Sequence, residues 1–204
     1  SEQIVDGAPR RLGSSEFVVG PLAFGCWRFA GAAVGDAQRR VEVAIEAGMN
    51  LIDTADIYGV DGPGFGSAEA LLGEVFAASP SLRDRVVLAT KGGIWPGIPY
   101  DSSPPYLRAA CDASLRRLQV DRIDLYQIHR PDLLAHPADV AGELAALRAA
   151  GKVAEVGVSN YTVAQFRALQ AHLPFPLITH QPELSAWHLD PIDDGVLDQC
   201  VELG

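Results

Sequence analysis

Acid–base chemistry is available to four residues that stand between positions 50 and 130: Asp53, Tyr58, Lys91 and His129. A tyrosine by itself holds its proton tightly at neutral pH, because its ordinary pKa is about 10. A lysine cation beside Tyr58 would stabilise the phenolate and lower that pKa, and a carboxylate beside the lysine would keep it charged. The combination predicts that Tyr58 acts as a general acid, with Lys91 and Asp53 adjusting its acidity.

His129 extends this chemistry towards a carbonyl group. Its ring could hydrogen-bond the oxygen of an aldehyde or ketone, on which negative charge develops during reduction. No side chain supplies hydride, so a reduced nicotinamide is the natural partner of such a site. Uncharged donors and acceptors suited to the carboxamide of that cofactor occur later in the chain, at Ser159, Asn160 and Gln181.

The polar residues fall within or just past short apolar segments of the sequence. Six such segments are predicted to be buried strands: 22–26, 50–55, 86–90, 123–128, 155–158 and 177–180. Helical periodicity occurs between them, as in the series Leu107, Cys111, Ser114, Leu115 and Leu118. Strict alternation of strands and helices predicts an α/β fold with parallel strands, whose carboxyl ends meet at one edge. We therefore expect the polar residues to share a site at that edge.

The N-terminal region lies outside this alternation. Residues 10–12 and 17–19 flank the turn-forming sequence Gly13-Ser14-Ser15, which predicts a small β-hairpin. No linker, low-complexity tract or longer repeat interrupts the rest of the sequence. Residues 1–204 are therefore expected to form a single domain.

Composition and charge argue against several classes of protein. The 204 residues are 48% hydrophobic and 21% charged, which is enough for a globular core and disfavours disorder. The net charge of −10, without a basic cluster, disfavours nucleic-acid binding. The apolar segments stay far below the roughly 20 residues that span a bilayer, and the first ten residues lack the pattern of a secretory signal. We expect a cytosolic protein without a membrane span, and the sequence leaves its oligomeric state open.

The cysteine and histidine spacings do not predict a metal site. Cys26, Cys111 and Cys200 are widely separated and form no Cys-x-x-Cys pair, and the five histidines do not form a His-Glu-x-x-His pattern. We therefore expect free thiols and no bound metal.

Several motifs follow one another in order along the chain: Gly25-Cys26-Trp27, Asn50-Leu51-Ile52-Asp53-Thr54-Ala55-Asp56-Ile57-Tyr58-Gly59, Leu72-Gly73-Glu74, Ala89-Thr90-Lys91, Asp124-Leu125-Tyr126-Gln127-Ile128-His129 and Gly157-Val158-Ser159-Asn160. Together they resemble the aldo-keto reductase family from about Gly20 to the end of the chain. The resemblance implies a (β/α)8 TIM barrel closed below by the N-terminal hairpin. It also implies reduction of aldehydes and ketones by NADPH, with a catalytic tetrad that falls on Asp53, Tyr58, Lys91 and His129.

The same resemblance implies further site residues. Those expected to bind the cofactor are Gly25, Cys26, Asp53, Ser159, Asn160 and Gln181. Cys26 stands where the family often has threonine; its thiol would donate only weakly, while a backbone contact stays available. Two tryptophans, Trp27 and Trp95, resemble walls of a substrate pocket.

The length of the sequence differs from that of the family barrel. The family has eight strands, whereas the sequence predicts six, and each βα unit takes roughly 30 residues. The family's phosphate-binding segment for the cofactor, and the aromatic residue that stacks on the nicotinamide, come after the position that corresponds to Gly204. We expect residues 1–204 to hold about six βα units of a C-terminally incomplete barrel.

Other interpretations of the same residues stay open. Taken singly, Asp53 could cap a turn, His129 could be a core histidine and Lys91 could extend from the sheet edge into solvent. Lys91 could also form a Schiff base with a carbonyl substrate, as in lyases and aldolases, which would require an uncharged amine. A third interpretation is a non-catalytic nicotinamide-binding module or an inactive fragment, because a fold does not settle function.

Overall fold

The computed structural model describes residues 7–97 and 99–204. The first element of the described residues is the expected hairpin, in which β1 (Arg10–Arg11) and β2 (Val18–Val19) pair antiparallel. A sheet of parallel strands follows in sequential order: β3 (Ala23–Gly25), β4 (Leu51–Asp53), β5 (Val87–Gly92), β6 (Ile123–Ile128), β7 (Val153–Ser159) and β8 (His180–Gln181).

Helices connect the strands and follow the last one: α1 (Val34–Glu46), α2 (Ser67–Ala78), α3 (Pro80–Arg83), α4 (Pro104–Leu118), α5 (Pro137–Ala149), α6 (Val163–Gln170), α7 (Asp190–Asp193) and α8 (Val196–Leu203). The alternation of parallel strands and helices is that of a partial (β/α)8 barrel with an N-terminal hairpin. The α/β prediction with six parallel strands is therefore confirmed.

The helices begin where their sequences predict, and they bury the predicted apolar faces. Ser103 and Pro104 precede and open α4, which buries Leu107, Cys111, Ser114 and Leu118 against the sheet. Thr162 accepts a hydrogen bond from the backbone of Gln165, and the Gln165 side chain accepts one from the backbone of Thr162. This capping box supplies partners for two backbone N–H groups that would otherwise have none in the first turn of α6.

Two hydrophobic clusters lie on the two faces of the sheet. The larger cluster packs strand residues such as Ile52, Leu88 and Val156 against the surrounding helices. The smaller cluster forms an apolar floor inside the barrel, defined by Leu12, Leu51, Ala89, Leu125 and Ile178. Leu12 comes from the turn of the hairpin, so the hairpin contributes to this floor. Polar interior residues follow the floor residues along the same strands, towards the carboxyl edge of the sheet.

The part of the chain that the structure describes contains no helix long and apolar enough to cross a membrane. Within the same residues, no group of three or more His, Cys, Asp or Glu side chains is arranged to hold a metal ion.

Candidate active site

Lys91 lies at the centre of a set of short polar contacts. It stands near the end of β5 with 1% of its surface exposed. Its Nζ donates to Oδ2 of Asp53 at 2.8 Å, to the carbonyl oxygen of Thr54 at 3.0 Å and to the hydroxyl of Tyr58 at 3.3 Å. A buried ammonium needs a counter-ion and hydrogen-bond acceptors, and these contacts supply both. The geometry therefore joins three of the predicted tetrad residues.

Tyr58 is held above Lys91 by the loop that follows β4. Burial raises the pKa of its phenol, and the Lys91 cation opposes that rise without cancelling it. The sequence predicts a lowered pKa for the Tyr58 phenol. In the structure that pKa is raised, because the desolvation of the phenol outweighs the effect of the Lys91 cation. The Tyr58 hydroxyl consequently keeps its proton at neutral pH.

His129 directly follows β6 and faces Tyr58. The two rings meet edge to face, with centroids 5.7 Å apart. Burial, together with the Lys91 and Arg130 cations, lowers the pKa of His129 to about 3. The imidazole is therefore neutral at physiological pH. Its Nδ1 is buried and has no hydrogen-bond partner among the described residues.

Hydrogen bonds connect the end of β7 to the end of β8, and they involve Ser159, Asn160 and Gln181. Ser159 Oγ donates to the carbonyl oxygen of Gln181 at 2.7 Å and accepts from Asn160 Nδ2 at 2.9 Å. Asn160 adopts the left-handed conformation with φ of 57°, which asparagine tolerates better than most residues. Its Oδ1 accepts from the backbone N–H of Glu183 at 2.8 Å, which ties the two loops together.

A cleft of about 570 Å³ opens above these residues. Seven of the predicted site residues line it or lie at its base: Trp27, Tyr58, Lys91, His129, Ser159, Asn160 and Gln181. The uncharged donors and acceptors among them have the chemistry that a nicotinamide carboxamide requires, so the residues present fit that end of the cofactor.

The other predicted site residues lie outside the lining of this cleft. Asp53 is buried beneath Lys91. Cys26 has no exposed surface; its backbone N–H donates to the carbonyl oxygen of Asp53 at 2.8 Å, and burial raises the pKa of its thiol. Gly25 borders open space, since a Cβ added there would meet no atom within 4 Å apart from those of the adjacent residues. Trp95 packs against Phe65 with ring centroids 5.1 Å apart and lines a separate cleft beside α4.

Sequence reasoning missed several residues of the cleft wall. Arg130 and Glu183 both line it and form an ion pair at 3.3 Å. Their signal was available, since Arg130 follows His129 directly and Glu183 stands two residues after Gln181. Residues just past a functional strand end in a parallel α/β fold generally lie near the same site.

Asp56 is fully buried behind the site, although it stands between two of the tetrad residues in the sequence. Its backbone N–H donates to the carbonyl oxygen of Lys91 at 3.0 Å. Burial, reinforced by the nearby Glu69 carboxylate and opposed by Arg117, raises the pKa of the Asp56 carboxyl well above its usual range. The folded protein therefore keeps a proton that an unfolded aspartate releases above pH of about 4.

We expect Asp56→Asn to stabilise the protein increasingly as pH rises above about 4, the ordinary pKa of an aspartate. The folded state binds more protons than the unfolded state in this range, so the wild-type free energy of unfolding falls with pH. Asparagine removes that dependence, and the difference between variant and wild type should grow by up to about 1.4 kcal/mol per pH unit. Urea unfolding at several pH values measures it, with Asp61→Asn as the matched exposed control. A stability difference that does not vary with pH would contradict the buried, protonated carboxyl.

Comparison with known proteins identifies the family. The model of the aldo/keto reductase family matches residues 21–204. A 6-dehydroglucose reductase from Novosphingobium aromaticivorans is 55% identical over 198 residues, which cover 96% of this chain and 65% of that protein. The oxidoreductase YcsN of Bacillus subtilis, whose function is uncharacterized, is 39% identical over 87% of this chain and 61% of its own length.

Solved structures agree with this result. The structure of a glycerol dehydrogenase from Gluconobacter oxydans superimposes with a TM-score of 0.83 at 31% identity, covering 98% of this chain and 62% of that one. The chain thus spans less than two thirds of the length of these three proteins. On the evidence of the matched residues and the fold, the chain belongs to the aldo/keto reductase family.

Proposed function

We propose that the protein reduces an aldehyde or ketone to the alcohol, with NADPH as the reductant and Tyr58 as the proton donor. One observation carries the proposal: Lys91 Nζ contacts the Tyr58 hydroxyl at 3.3 Å while Asp53 holds the same ammonium at 2.8 Å. A cation fixed beside a phenol stabilises the phenolate that remains after the proton has left.

Each residue has a defined part in this reaction. Tyr58 transfers its hydroxyl proton to the carbonyl oxygen, and Lys91 stabilises the resulting phenolate. Asp53 pairs with Lys91 and directs its ammonium at Tyr58. Neutral His129, which lines the same cleft, would hydrogen-bond the carbonyl oxygen and orient it towards Tyr58. When bound, NADPH supplies the hydride that the carbonyl carbon receives.

The cofactor would lie against the ends of β7 and β8. Ser159, Asn160 and Gln181 would hold the nicotinamide carboxamide through uncharged hydrogen bonds. Gly25, Cys26 and Asp53 are proposed to line the ribose and nicotinamide side, with Cys26 acting through its backbone. The choice of NADPH over NADH rests on the family resemblance.

For the substrate we propose a hydroxylated carbonyl compound such as an oxidised sugar. The relative from Novosphingobium aromaticivorans is named for such a compound. The cleft offers polar and charged side chains for hydroxyl groups, including Arg130, Glu183 and Asp61. Trp27, which is 67% exposed at the cleft, offers an apolar face for the carbon skeleton.

We also propose that residues 1–204 belong to one barrel domain, because the hairpin and the strands share the apolar floor. A cytosolic location stays a prediction from the sequence.

We expect the protein expressed from its natural gene to consume NADPH when an oxidised sugar is added. NADPH binding is measured first by fluorescence titration, and consumption then by absorbance. Deuterium from the reactive position of labelled NADPH should appear on the carbinol carbon of the product. Saturable binding without consumption across a panel of aldehydes and ketones would contradict the proposal and favour a nicotinamide-binding module.

The Schiff-base alternative is tested on the same sample. Lys91 is paired with Asp53 at 2.8 Å, and a carboxylate partner favours the charged form of an amine, whereas a Schiff-base enzyme needs the uncharged form. Borohydride added with the carbonyl substrate should therefore leave the protein mass unchanged. A mass increase located at Lys91 would overturn the reductase mechanism.

A further inference from the structure

Gln127 is a buried amide that the reaction described above does not use. It stands in β6 with 2% of its surface exposed. In the register of the sheet it is opposite Lys91 on one side and Gly157 on the other. An amide in this position must find hydrogen-bond partners inside the barrel, because leaving them unmade is costly.

The first partner of Gln127 is Thr179, which directly precedes β8, a strand that does not pair with β6. Thr179 Oγ1 donates to Gln127 Oε1 at 2.8 Å. It reaches that oxygen over Gly157, where an added Cβ would come within 2.0 Å of Thr179 Oγ1. The missing side chain at Gly157 therefore makes room for the hydroxyl. In this contact the oxygen of Gln127 faces Thr179, which leaves its NH₂ group for another partner.

The second partner of Gln127 is Gln181. Gln127 Nε2 donates to Gln181 Oε1 at 2.9 Å, and Gln181 Nε2 in turn donates to Asp53 Oδ2 at 3.3 Å. Asp53 Oδ2 is the atom that also accepts from Lys91. The direction of donation is thus the same at every step from Thr179 to Asp53. Reversing the Gln181 amide would place its oxygen against the carboxylate, which is repulsive.

From this chain of contacts we propose that Gln127 is a positioning residue, which fixes the amide of Gln181 so that its NH₂ group faces Asp53 and its oxygen faces the barrel interior. This assignment rests on the proposed function, in which Gln181 holds the nicotinamide carboxamide. Gln127 itself contacts neither cofactor nor substrate. Its effect passes through Gln181, and Thr179 with Gly157 fixes Gln127 in turn.

The first test measures NADPH binding by fluorescence titration in wild type and Gln127→Leu. Loss of the fixing hydrogen bond is expected to raise the Kd for NADPH about tenfold. At saturating NADPH, kcat and the KM for the carbonyl substrate should stay within about twofold of wild type, because the residues around the carbonyl are unchanged. A general packing defect would not confine its effect to cofactor affinity.

Thr179 offers a milder pair of variants for the same test. Thr179→Val keeps the shape and removes the hydroxyl, so it should raise the Kd for NADPH in the same direction but by less than Gln127→Leu. Thr179→Ser keeps the hydroxyl and should bind NADPH as wild type does. These variants keep the proposal falsifiable if Gln127→Leu does not fold.

A double-mutant cycle with Gln181→Leu separates positioning from independent contributions. If Gln127 acts through Gln181, adding Gln127→Leu to Gln181→Leu should change the Kd by less than twofold. Additive effects, or an unchanged Kd in both Gln127→Leu and Thr179→Val, would overturn the proposal. If wild type itself fails to bind NADPH, it is the proposed function that fails, so the two failures are distinguishable.

Discussion

Replacing Tyr58 with phenylalanine is expected to lower kcat by about 10²- to 10⁴-fold, the usual contribution of a general acid. The ring contact with His129, and that with Trp27 at 6.5 Å between ring centroids, depend on the ring and survive the change. Only the hydroxyl that contacts Lys91 is lost. NADPH binding should therefore stay close to that of wild type while the chemical step slows.

Steady-state kinetics with an aldehyde and fluorescence titration with NADPH measure the two effects separately. Tyr100→Phe is the matched control, because Tyr100 is exposed and lies outside the cleft lining. That variant should turn over at the wild-type rate. Near-normal kcat in Tyr58→Phe would mean that another group donates the proton, and the mechanism proposed here would be wrong.

Lys91→Met is expected to impair both catalysis and stability. Without the cation, the phenolate of Tyr58 loses its stabilisation and kcat should fall by a factor comparable to that of Tyr58→Phe. The side chain of Asp53, which is 12% exposed, then stays largely buried without its counter-ion. Breaking one half of a buried ion pair costs about 3–5 kcal/mol, so the free energy of unfolding should fall by that order.

The double variant Asp53→Asn/Lys91→Met distinguishes these two effects. Replacing the carboxylate removes the unpaired buried charge, so a large part of the lost stability should return in urea unfolding experiments. Turnover should not return, because the cation is still absent. Recovery of turnover in the double variant would show that Lys91 is needed for folding and not for the reaction.

The sequence predicted the strands well where burial and pairing coincide. Strand β6 is predicted at 123–128 and is found as Ile123–Ile128, because a short, mainly apolar segment is typical of a strand covered on both faces. The last strand was predicted at 177–180, yet the paired ladder consists of His180–Gln181. Leu177 and Ile178 are buried ahead of it. An apolar pattern reports burial, and it does not report which buried residues enter the ladder.

The candidate site was predicted in position but not in its electrostatics. Residue types and strand ends were enough to place Tyr58, Lys91 and His129 together, since parallel strands end at one edge. They could not show that burial outweighs the Lys91 cation at the Tyr58 phenol, because desolvation depends on what the completed fold packs around that group. The role of Gln127 could not be predicted for a related reason. All residues of β6 are buried, so the pattern of burial does not indicate which of them face the barrel interior.

The apolar floor of the barrel bears on how Tyr58 would recover its proton in the proposed reaction. In that reaction the phenolate left after each reduction is reprotonated before the next substrate reacts. The five floor side chains, Leu12, Leu51, Ala89, Leu125 and Ile178, include no hydroxyl, amide or charged group that could pass a proton upwards. In the proposed reaction the proton would therefore enter from the cleft side, by the route that the alcohol takes as it leaves. On this proposal, a slowly dissociating alcohol would delay restoration of the acid as well as release of the product.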